Sequence, residues 1–331
     1  MKTYITALDY YLPQRVLTNE DLAQEFPEWE AEKIAGKVGI HQRHIAAQDE
    51  TAADMAIQAA LNLFAQGIDK AEIDYLLFCT QSPDYALPAS ACIIQDRLGL
   101  SKNTGALDFN QGCSGYIYGL SLAKGLIAAG IARQVLLLTA ETYTKRLHAH
   151  DKGTRTIFGD AASATLIGTA GFAEIGDFCL GTDGSGAEHL IVKTGGARNP
   201  QKANTLTWDE NHNPVSDDHV YMNGGEIFAF TLQTVPPLVA GVLAKNKLPK
   251  DSIDLFVFHQ ANQYMLEFLQ KALHISTEKF YLYISEVGNT VSSTIPIALS
   301  EALKSGVYRP GMKTLLAGFG VGLSWGGVVV L

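Results

Sequence analysis

The sequence is poor in charged residues and in cysteine, and both shortages limit what the protein can be. Charged residues make up 18% of the 331 residues, and 25 Lys+Arg against 34 Asp+Glu give a net charge of −9. A chain so short of basic residues lacks the positive surface that nucleic-acid binding requires. The four cysteines lack the spacing of a metal site and are too few for a disulfide framework, which predicts a reduced, cytoplasmic protein.

Long apolar runs are also missing. The longest apolar stretches are broken by Lys124 or by glycines, so we expect no membrane span, which needs roughly 20 clean apolar residues. Residues 1–13 alternate like a strand and have neither the apolar segment nor the cleavage site of a signal peptide. With 47% hydrophobic residues and 31 glycines, the composition excludes disordered, collagen-like and coiled-coil chains and predicts a globular protein the size of an enzyme.

What the chain does contain is an internal repeat. Each half carries an apolar strand, a glycine-containing turn, an apolar helical run ending at a glycine, and further strands, in the same order. The matched segments are 70–78 and 250–258, 112–113 and 288–289, 134–140 and 313–318, and 158–168 and 319–331. The strand–helix–strand order predicts an α/β fold with parallel sheets covered by helices, in two halves, 1–170 and 171–331.

Two polar stretches interrupt this pattern. Residues 181–218 are rich in glycine and asparagine and are predicted to form loops, and no low-complexity linker separates the halves, so we expect them to pack as one body. The second stretch contains His148, His150 and Asp151, which fit either a metal site or a solvated loop. The lack of a further spaced ligand group favours the loop.

Cys113 is the most informative residue. It follows a predicted strand end at 107–110 and precedes a predicted helix over 116–129. Free backbone N–H groups and the helix dipole at such a turn favour the thiolate, and small neighbours let a substrate carbonyl approach. A buried cysteine that fills a tight turn explains these residues equally well. The other cysteines stand in apolar segments and are expected in the core: Cys79, Cys92 and Cys179.

The repeat places Asn289 at the position equivalent to Cys113. His259 directly follows the apolar strand 255–258, and the carboxyl end of a buried strand is where α/β proteins bind ligands, although most single histidines are structural. The three residues therefore form one candidate constellation. The glycine-rich segment 320–322 offers a loop whose backbone can approach a ligand, and tight strand packing explains it equally well.

These motifs resemble the β-ketoacyl-acyl-carrier-protein synthase III (ketosynthase III) group of the thiolase superfamily over essentially the whole chain. The markers are GIHQRHIA at 39–46, QGCSG at 111–115, DKGT followed by IFGDAASA at 151–164, HQAN at 259–262, GNTVSSTIP at 288–296 and GFGVGLSWGG at 318–327. The resemblance implies a thiolase-like, five-layered αβαβα fold from two pseudo-symmetric halves, and a homodimer.

The resemblance also implies the chemistry. Cys113 takes an acyl group from an acyl thioester, and the N–H groups of Cys113 and Val321 form the oxyanion hole. His259 and Asn289 then stabilise the enolate that a malonyl thioester forms on losing carbon dioxide, and its attack releases a β-ketoacyl product. No metal and no permanently bound cofactor are expected. The substrates are coenzyme A or phosphopantetheine thioesters: acyl-CoA or acyl-carrier protein, and malonyl-carrier protein or malonyl-CoA.

Several positions depart from the family pattern. The tryptophan that stacks on the coenzyme A adenine falls at Lys33 and its arginine partner at Lys152, and lysine has no flat face to offer a base. Trp29 is an alternative stacking residue. The remaining substrate-binding positions that the resemblance implies are Leu87, Phe158, Met222, Gly224, Phe319, Asn262 and Lys37.

Two positions that are typically basic, for an acidic carrier protein, are Ala229 and Tyr264. The phenylalanine that crosses the dimer interface to cap the partner's acyl pocket is Leu87 in this chain. We therefore expect the core chemistry with a different donor, carrier or acyl chain, as in a specialised-metabolite or envelope enzyme rather than the acetyl-primed enzyme of fatty-acid initiation.

Three rival functions remain. A papain-type cysteine hydrolase also uses Cys, His and Asn, but its local signature differs and it predicts no internal repeat. A non-catalytic partner subunit would have lost the nucleophile, whereas Cys113 is present. A transferase that passes the acyl group to an alcohol or amine without decarboxylation has less need of Asn289 as a second enolate donor.

Overall fold

Strands and helices alternate along most of the chain, and the computed structural model describes residues 1–210 and 212–331. The described strands are β1 Tyr4–Tyr11, β2 Arg15–Thr18, β3 Gln42–Ile45, β4 Tyr75–Cys79, β5 Gly105–Phe109, β6 Val135–Glu141, β7 Ala161–Gly168, β8 Ala173–Thr182, β9 Leu190–Ile191, β10 Thr207–Trp208, β11 Pro214–Val215, β12 Tyr221–Met222, β13 Leu255–Phe258, β14 Thr314–Gly320 and β15 Ser324–Val330. The α-helices are α1 Asn19–Glu25, α2 Ala31–Val38, α3 Ala52–Phe64, α4 Ser90–Arg97, α5 Gly115–Ala128, α6 Lys152–Arg155, α7 Gly224–Lys245, α8 Gln263–Ala272 and α9 Thr294–Lys304. Short 3₁₀ helices lie at Lys70–Glu72, Tyr143–Arg146, Gly184–His189, Lys250–Ser252, Thr277–Lys279 and Val291–Ser293.

Nine of the described strands are linked in the order β13-β14-β15-β8-β1-β7-β6-β4-β5. The strands up to β7 lie together at one side and those from β8 onward at the other. The two groups join only through the short pairing of β1 with β8, at Tyr4 and Ile5. The sheet is therefore two sheets, one from each part of the chain, that meet at one narrow seam.

The predicted parallel pairing holds for part of each sheet. β4 pairs in parallel with β5 and β6, and β13 pairs in parallel with β14. β7 runs antiparallel to β6, and β15 runs antiparallel to β14. The sheets are mixed because only the short segment 321–323 separates β14 from β15, and so short a connection can make only an antiparallel pair.

The layers follow from the contacts of the helices. α5 and α9 form the central layer, since α5 contacts β4 and β6 on one side and β14 and β15 on the other, and α9 contacts β1 and β13. α3 covers the outer face of β1, β6 and β7, and α7 covers β8, β14 and β15, with α8 beside it. This is the five-layered αβαβα arrangement that the resemblance implies.

The central and inner elements are apolar on both sides, as their position requires. Every residue of β6 and β7 is buried, as the uninterrupted apolar run LLLTA in β6 requires of a strand covered on both faces. α5, with the sequence GYIYGLSLAKGLIA, has one charged residue, Lys124, whose ammonium group reaches the carbonyl oxygens of Ile175 and Gly176. A helix so apolar all round is stable only between two other layers.

α7 is the one described helix that is long and apolar enough, by length and composition, to cross a membrane. It lies against the outer face of the second sheet, and core helices of globular proteins have the same length and composition. The stretch 181–218 is mostly loop as predicted, with β9 paired to β12 and β10 paired to β11. The boundary expected between residues 170 and 171 lies in the connection from β7 to β8 and stays a prediction.

Candidate active site

Cys113 lies in the turn between β5 and α5, with 6% of its surface exposed. Burial raises the pKa of the Cys113 thiol to about 12, although hydrogen bonds from the backbone N–H groups of Val321 and Cys113 act in the opposite direction. The expectation that the helix N-terminus favours the thiolate is therefore wrong for the resting protein, because the loss of solvent outweighs the stabilisation from these N–H groups. The sulfur needs a base that removes its proton before it attacks.

The glycine-rich segment 320–322 closes over the sulfur from the other half of the chain. A Cβ at Gly320 would lie 2.9 Å from the Cys113 Sγ, so only glycine lets the backbone pass this close. A Cβ at Gly112 would likewise lie 2.4 Å from Cγ1 of Val321. The close approach brings the N–H groups of Val321 and Cys113 to one place, which is the geometry that an oxyanion hole needs.

Buried hydroxyls tie this segment to the turn that carries Cys113. The Oγ atoms of Ser114 and Ser324 lie 2.7 Å apart, although 210 positions separate them in the sequence. The Ser324 Oγ also lies 2.8 Å from the Val321 carbonyl oxygen and 3.2 Å from Oε1 of Gln111. This network fixes the position of the Val321 backbone relative to Cys113.

His259 follows β13 and is buried. Its Nδ1 lies 2.8 Å from Oγ1 of Thr294, and that oxygen lies 3.1 Å from the carbonyl oxygen of Val291. Burial lowers the pKa of His259 to about 3, and the Val291 carbonyl opposes the decrease. The ring is therefore neutral at neutral pH, with one of its two nitrogens unprotonated.

Asn289 is also buried, and neighbouring backbone groups fix its amide. Its Oδ1 accepts a hydrogen bond of 2.9 Å from the Val291 N–H, and its Nδ2 lies 3.3 Å from the carbonyl oxygen of Ala261. The Asn289 backbone bridges to Phe158, since its N–H donates to the Ile157 carbonyl. With the oxygen occupied by Val291, the amide presents its NH₂ group as the donor.

The structure brings the three constellation residues together in one cavity of about 150 Å³, in which Cys113, His259 and Asn289 all form part of the wall. Apolar side chains make up most of the rest of the lining. Five of the other predicted substrate-binding residues line the same cavity: Phe158, Met222, Gly224, Phe319 and Asn262. This arrangement, a thiol, a neutral imidazole and an amide donor in an apolar cavity, is suited to acyl transfer through a covalent thioester.

A second cavity of about 260 Å³ shares Met222 and Gly224 with the first. Lys37, the sixth predicted substrate contact, lines this outer cavity with Trp29, and the Lys37 Nζ lies 5.7 Å from the centre of the Trp29 ring. The shared residues place the two cavities side by side, with the sulfur in the wall of the smaller one.

Three further positions that the sequence analysis singled out lie outside both cavities. Lys152 forms an ion pair with Glu28, and Lys33 forms one with Glu30, with 2.6 Å between the Lys33 Nζ and Oε1. Leu87 is 82% exposed and touches neither cavity of this chain. Both lysines at the positions where the family pattern has its nucleotide-binding residues therefore have a glutamate partner within the same chain.

The polar stretch that suggested a metal site is a cluster of rings in edge-to-face and tilted contact. The ring of His148 lies 4.9 Å from that of His219, and its neighbours include His150 and Trp208. Among residues 1–210 and 212–331 no group of His, Cys, Asp or Glu side chains is arranged to hold a metal ion. The choice of a loop over a metal site for this stretch stays a prediction.

The expectation that the other cysteines are core residues is right for Cys79 only. Cys79 is fully buried, and its Sγ lies 3.0 Å from the Gln111 carbonyl oxygen. Cys92 is exposed and Cys179 is half-buried. Cys92 follows the buried pair Ser90 and Ala91 at the start of α4, where the next position turns to the outer face of the helix.

Two residues near the site were missed. Thr294, at the start of α9, contacts His259, and Tyr143, at the end of β6, packs in the same apolar cluster as Cys113. The only sequence sign of Thr294 is a hydroxyl residue just after the turn with Asn289. Nothing near Tyr143 in the sequence indicates that it packs in the cluster that contains Cys113, because residues distant in the chain form most of that cluster.

Comparison with known proteins gives the same result over the full chain. Profiles of the family 3-oxoacyl-[acyl-carrier-protein (ACP)] synthase III and of its C-terminal part match residues 107–184 and 243–331. The β-ketoacyl-[acyl-carrier-protein] synthase III of Oleidesulfovibrio alaskensis is 34% identical over 99% of this chain and 98% of its own.

Solved structures agree. A 3-oxoacyl-(acyl-carrier-protein) synthase III solved at 2.1 Å superposes with a TM-score of 0.97 and 51% identity, covering 100% of this chain and 99% of that one. A 3-oxoacyl-(acyl-carrier protein) synthase from Burkholderia xenovorans LB400 gives a TM-score of 0.92 and 35% identity, over 100% and 94% of the two chains.

Proposed function

The chain belongs to the 3-oxoacyl-[acyl-carrier-protein] synthase III family, and from that premise we propose how its own residues carry out the reaction. It is an acyl-transferring condensing enzyme, a β-ketoacyl synthase of type III. The observation that carries the assignment of roles is the meeting of Cys113, His259 and Asn289 in one cavity. A transferase that omits decarboxylation is not favoured.

The first half-reaction loads the enzyme. His259, neutral in the resting state, takes the proton of the Cys113 thiol as the sulfur attacks the carbonyl carbon of an acyl thioester. The N–H groups of Cys113 and Val321 stabilise the tetrahedral oxyanion. When the carbon–sulfur bond of the donor breaks, the departing thiolate recovers the proton and leaves as coenzyme A or carrier thiol, and the acyl group stays on Cys113.

The second half-reaction forms the carbon–carbon bond. A malonyl thioester binds with its carbonyl oxygen towards the amide of Asn289 and a ring N–H of His259. Breaking the bond to the carboxylate releases carbon dioxide and leaves an enolate, whose negative charge the two donors stabilise. The enolate carbon attacks the Cys113 thioester, the carbon–sulfur bond breaks, and the β-ketoacyl product leaves. The Cys113 thiolate that remains takes a proton from solvent, which restores the resting thiol.

The pantetheine arm of the substrates is the only cofactor in this scheme, and no metal takes part. The outer cavity, with Lys37 and Trp29, receives that arm. Because Lys33 and Lys152 are paired with glutamates, the grip on a nucleotide is weak, which supports a pathway other than fatty-acid initiation, such as specialised-metabolite or envelope synthesis. We place the enzyme in the cytoplasm with acyl-CoA or acyl-carrier protein and malonyl-carrier protein or malonyl-CoA as substrates.

We further propose a homodimer in which Leu87 of one protomer reaches the acyl pocket of its partner. Leu87 and Tyr85 are 82% and 62% exposed, a large apolar surface for one short loop. The same proposal divides the protomer into a half that carries Cys113, 1–170, and a half that carries His259 and Asn289, 171–331.

The test of this function follows the two half-reactions separately. Mass spectrometry after incubation with a panel of acyl-CoAs should show one covalent acyl adduct on Cys113, absent from Cys113→Ala. Adding malonyl-carrier protein or malonyl-CoA should then release carbon dioxide and a β-keto product.

Asn289→Ala provides the matched variant. It should slow condensation by about a hundredfold or more while self-acylation falls far less, because Asn289 contacts only the enolate. Equal losses in both steps would contradict its role. No adduct with any donor would refute covalent catalysis, and transfer to a hydroxyl without carbon dioxide would refute condensation.

A further inference from the structure

Arg43, in β3, is a fully buried cation that the reaction scheme does not use. Its guanidinium donates to the carbonyl oxygens of Leu17 and Thr156, at 3.1 Å and 2.8 Å. It also donates to Oδ1 of Asn19 at 2.9 Å, while its Nε has no hydrogen-bond partner among the described residues. A buried arginine bound only to neutral oxygens is costly, because an opposite charge is the usual compensation for removing a charge from water.

Among residues 1–210 and 212–331 no carboxylate forms an ion pair with Arg43. Burial and the nearby charge of Arg155 lower the pKa of Arg43 to about 10, so its guanidinium keeps its proton at neutral pH. What Arg43 offers in this place is a rigid fork of donors, which reaches three oxygens from separate parts of the chain.

The stem of Arg43 packs against two glycines behind the active site. A Cβ at Gly159 would lie 3.0 Å from the Arg43 Cβ, and a Cβ at Gly288 would lie 3.2 Å from the same atom. A side chain at either glycine would press on Arg43 as well as on a backbone carbonyl oxygen. Because Gly288 directly precedes Asn289, Arg43 lies behind the turn that carries the amide donor.

The segment that begins at Thr156 connects Arg43 to Asn289. The Asn289 N–H donates to the Ile157 carbonyl oxygen at 2.8 Å, and the Asn289 carbonyl oxygen accepts at 3.1 Å from the N–H of Gly159. Arg43 binds the first residue of this segment through the Thr156 carbonyl. A displacement of the segment therefore also displaces the backbone of Asn289.

We propose that Arg43 is a positioning residue for condensation. Its guanidinium fixes the segment that begins at Thr156 and so sets the place of the Asn289 amide relative to the enolate. The inference rests on the proposed function, in which only the malonyl half-reaction uses this amide. A displacement of about 1 Å at a reacting group costs about a hundredfold in rate, so loss of the Arg43 fork should slow condensation strongly. Loading of Cys113 does not use Asn289 and should be unaffected.

The test measures the two half-reactions of Arg43→Lys separately. Lysine keeps the charge but lacks the planar fork that reaches three oxygens at once. Condensation from the preloaded enzyme, with malonyl-carrier protein or malonyl-CoA, whichever the wild type uses, should slow by about tenfold or more. The loss should appear in kcat, with KM for the malonyl substrate changed by less than about twofold. Loading of Cys113 from an acyl-CoA, followed by intact-protein mass spectrometry, should stay within about twofold of the wild-type rate.

The Asn289→Ala background distinguishes positioning from a role in folding alone. If Arg43 acts through the amide, adding Arg43→Lys to Asn289→Ala should slow condensation by less than about twofold, because the positioned group is already gone. A general loss of structure would instead have its full effect in both backgrounds. The double variant therefore gives a result that a purely structural arginine does not predict.

Arg155→Lys is the matched control, because Arg155 lies at the end of α6, next to Thr156, but pairs with Glu25. It should leave both half-reactions within about twofold of the wild type. Circular dichroism verifies that each variant folds. If Arg43→Lys does not fold, Asn19→Ala takes its place. It removes one acceptor of Arg43 and should slow condensation alone by about threefold.

Condensation at the wild-type rate in the folded variant, or loading that slows as much as condensation, would overturn the role of Arg43. The same loss in the Asn289→Ala background, or an equal loss in Arg155→Lys, would also overturn it. A wild-type enzyme that takes up no acyl group, or that releases no carbon dioxide from the malonyl substrate, would instead refute the proposed function. The two failures are therefore distinguishable, because the second is read from the wild type alone.

Discussion

At the residue scale, His259 has two tasks that require its ring proton on different nitrogens. During loading it accepts a proton, so one ring nitrogen facing the cavity must be free. During condensation it donates to an enolate, so that nitrogen must carry a proton. Thr294 suits both, because its hydroxyl lies 2.8 Å from Nδ1 and 3.1 Å from the Val291 carbonyl oxygen. When the Thr294 hydroxyl donates its hydrogen bond to the Val291 carbonyl oxygen, the Thr294 oxygen accepts from Nδ1–H of His259, and the other ring nitrogen is free to accept a proton. When the hydroxyl instead donates to Nδ1, the other ring nitrogen carries the proton.

Thr294→Val keeps the shape of this residue and removes its hydroxyl, so we expect condensation to slow by about tenfold, the effect of one buried hydrogen bond to a reacting group. Acyl loading should fall less, because a neutral ring with either tautomer still packs in place. Single-turnover kinetics of each half-reaction measure both rates. Thr294→Ser restores the hydroxyl and should recover at least half of the wild-type condensation rate, and a serine variant as slow as valine would rule out this role.

At the scale of strands and helices, some parts of the molecule can be predicted from sequence patterns and others cannot. The repeated strands β4 and β13 are continuous apolar runs whose pattern reflects their own burial, so their position and pairing were predictable. The antiparallel β7 and β15 were not, because the direction of a strand depends on the connection before it. The two equivalent helices also begin differently, since the 3₁₀ turn Val291–Ser293 separates α9 from Asn289, whereas α5 begins two residues after Cys113.

The same distinction holds for the site. Cys113, His259 and Asn289 stand in motifs that require their chemistry at fixed positions in the chain, so local sequence identified them. The pKa of Cys113 was predicted in the wrong direction because it depends on solvent exclusion by the segment 320–322, more than two hundred positions away. Tyr143 depends in the same way on packing across the two halves.

Glu141, the last residue of β6, is a carboxyl group whose burial costs free energy when it is ionised. Its carboxylate accepts hydrogen bonds from the Gln81 N–H and the Ser82 hydroxyl, and so anchors the loop that leads to Leu87. Burial raises the pKa of Glu141 to about 8, against these hydrogen bonds. Between about pH 4.5 and pH 8 the folded protein therefore binds this proton and the unfolded chain does not, so the contribution of Glu141 to stability decreases as the pH rises.

Glu141→Gln removes this titration. The free energy of unfolding of the variant, minus that of the wild type, should increase from pH 5 to pH 8 by up to about 1.4 kcal/mol for each pH unit. Urea unfolding followed by circular dichroism at pH 5, 6.5 and 8 measures the difference. A difference that stays constant over this range would mean that Glu141 is ionised in the folded protein and that its hydrogen bonds outweigh its burial.

At the scale of the whole molecule, the active site exists only where the two halves meet. Cys113 comes from the first half, and His259, Asn289 and Val321 come from the second, joined through contacts such as the 2.7 Å approach of Ser114 and Ser324. The acyl side of the cavity, however, contains no residue from the loop 80–88, whose Leu87 points away into solvent. Because Leu87 lines neither cavity of its own chain, the homodimer proposed above gives this apolar loop a role in the site of a second copy.

A mixed dimer tests this arrangement directly. One protomer carries Cys113→Ala together with Leu87→Trp, the other is wild type, and two affinity tags isolate the heterodimer. Because only the wild-type protomer can be acylated, a bulky residue at position 87 acts on it only from across the interface. We expect the loading of hexanoyl relative to butyryl to fall at least about fivefold compared with a heterodimer whose inactive protomer keeps Leu87. Sedimentation analysis should give a dimer in both cases. An unchanged ratio would contradict the proposal, and a shift that requires Leu87→Trp in the same chain as the active Cys113 would place the loop over its own pocket. A monomer in solution would also contradict it, since Leu87 would then face only water.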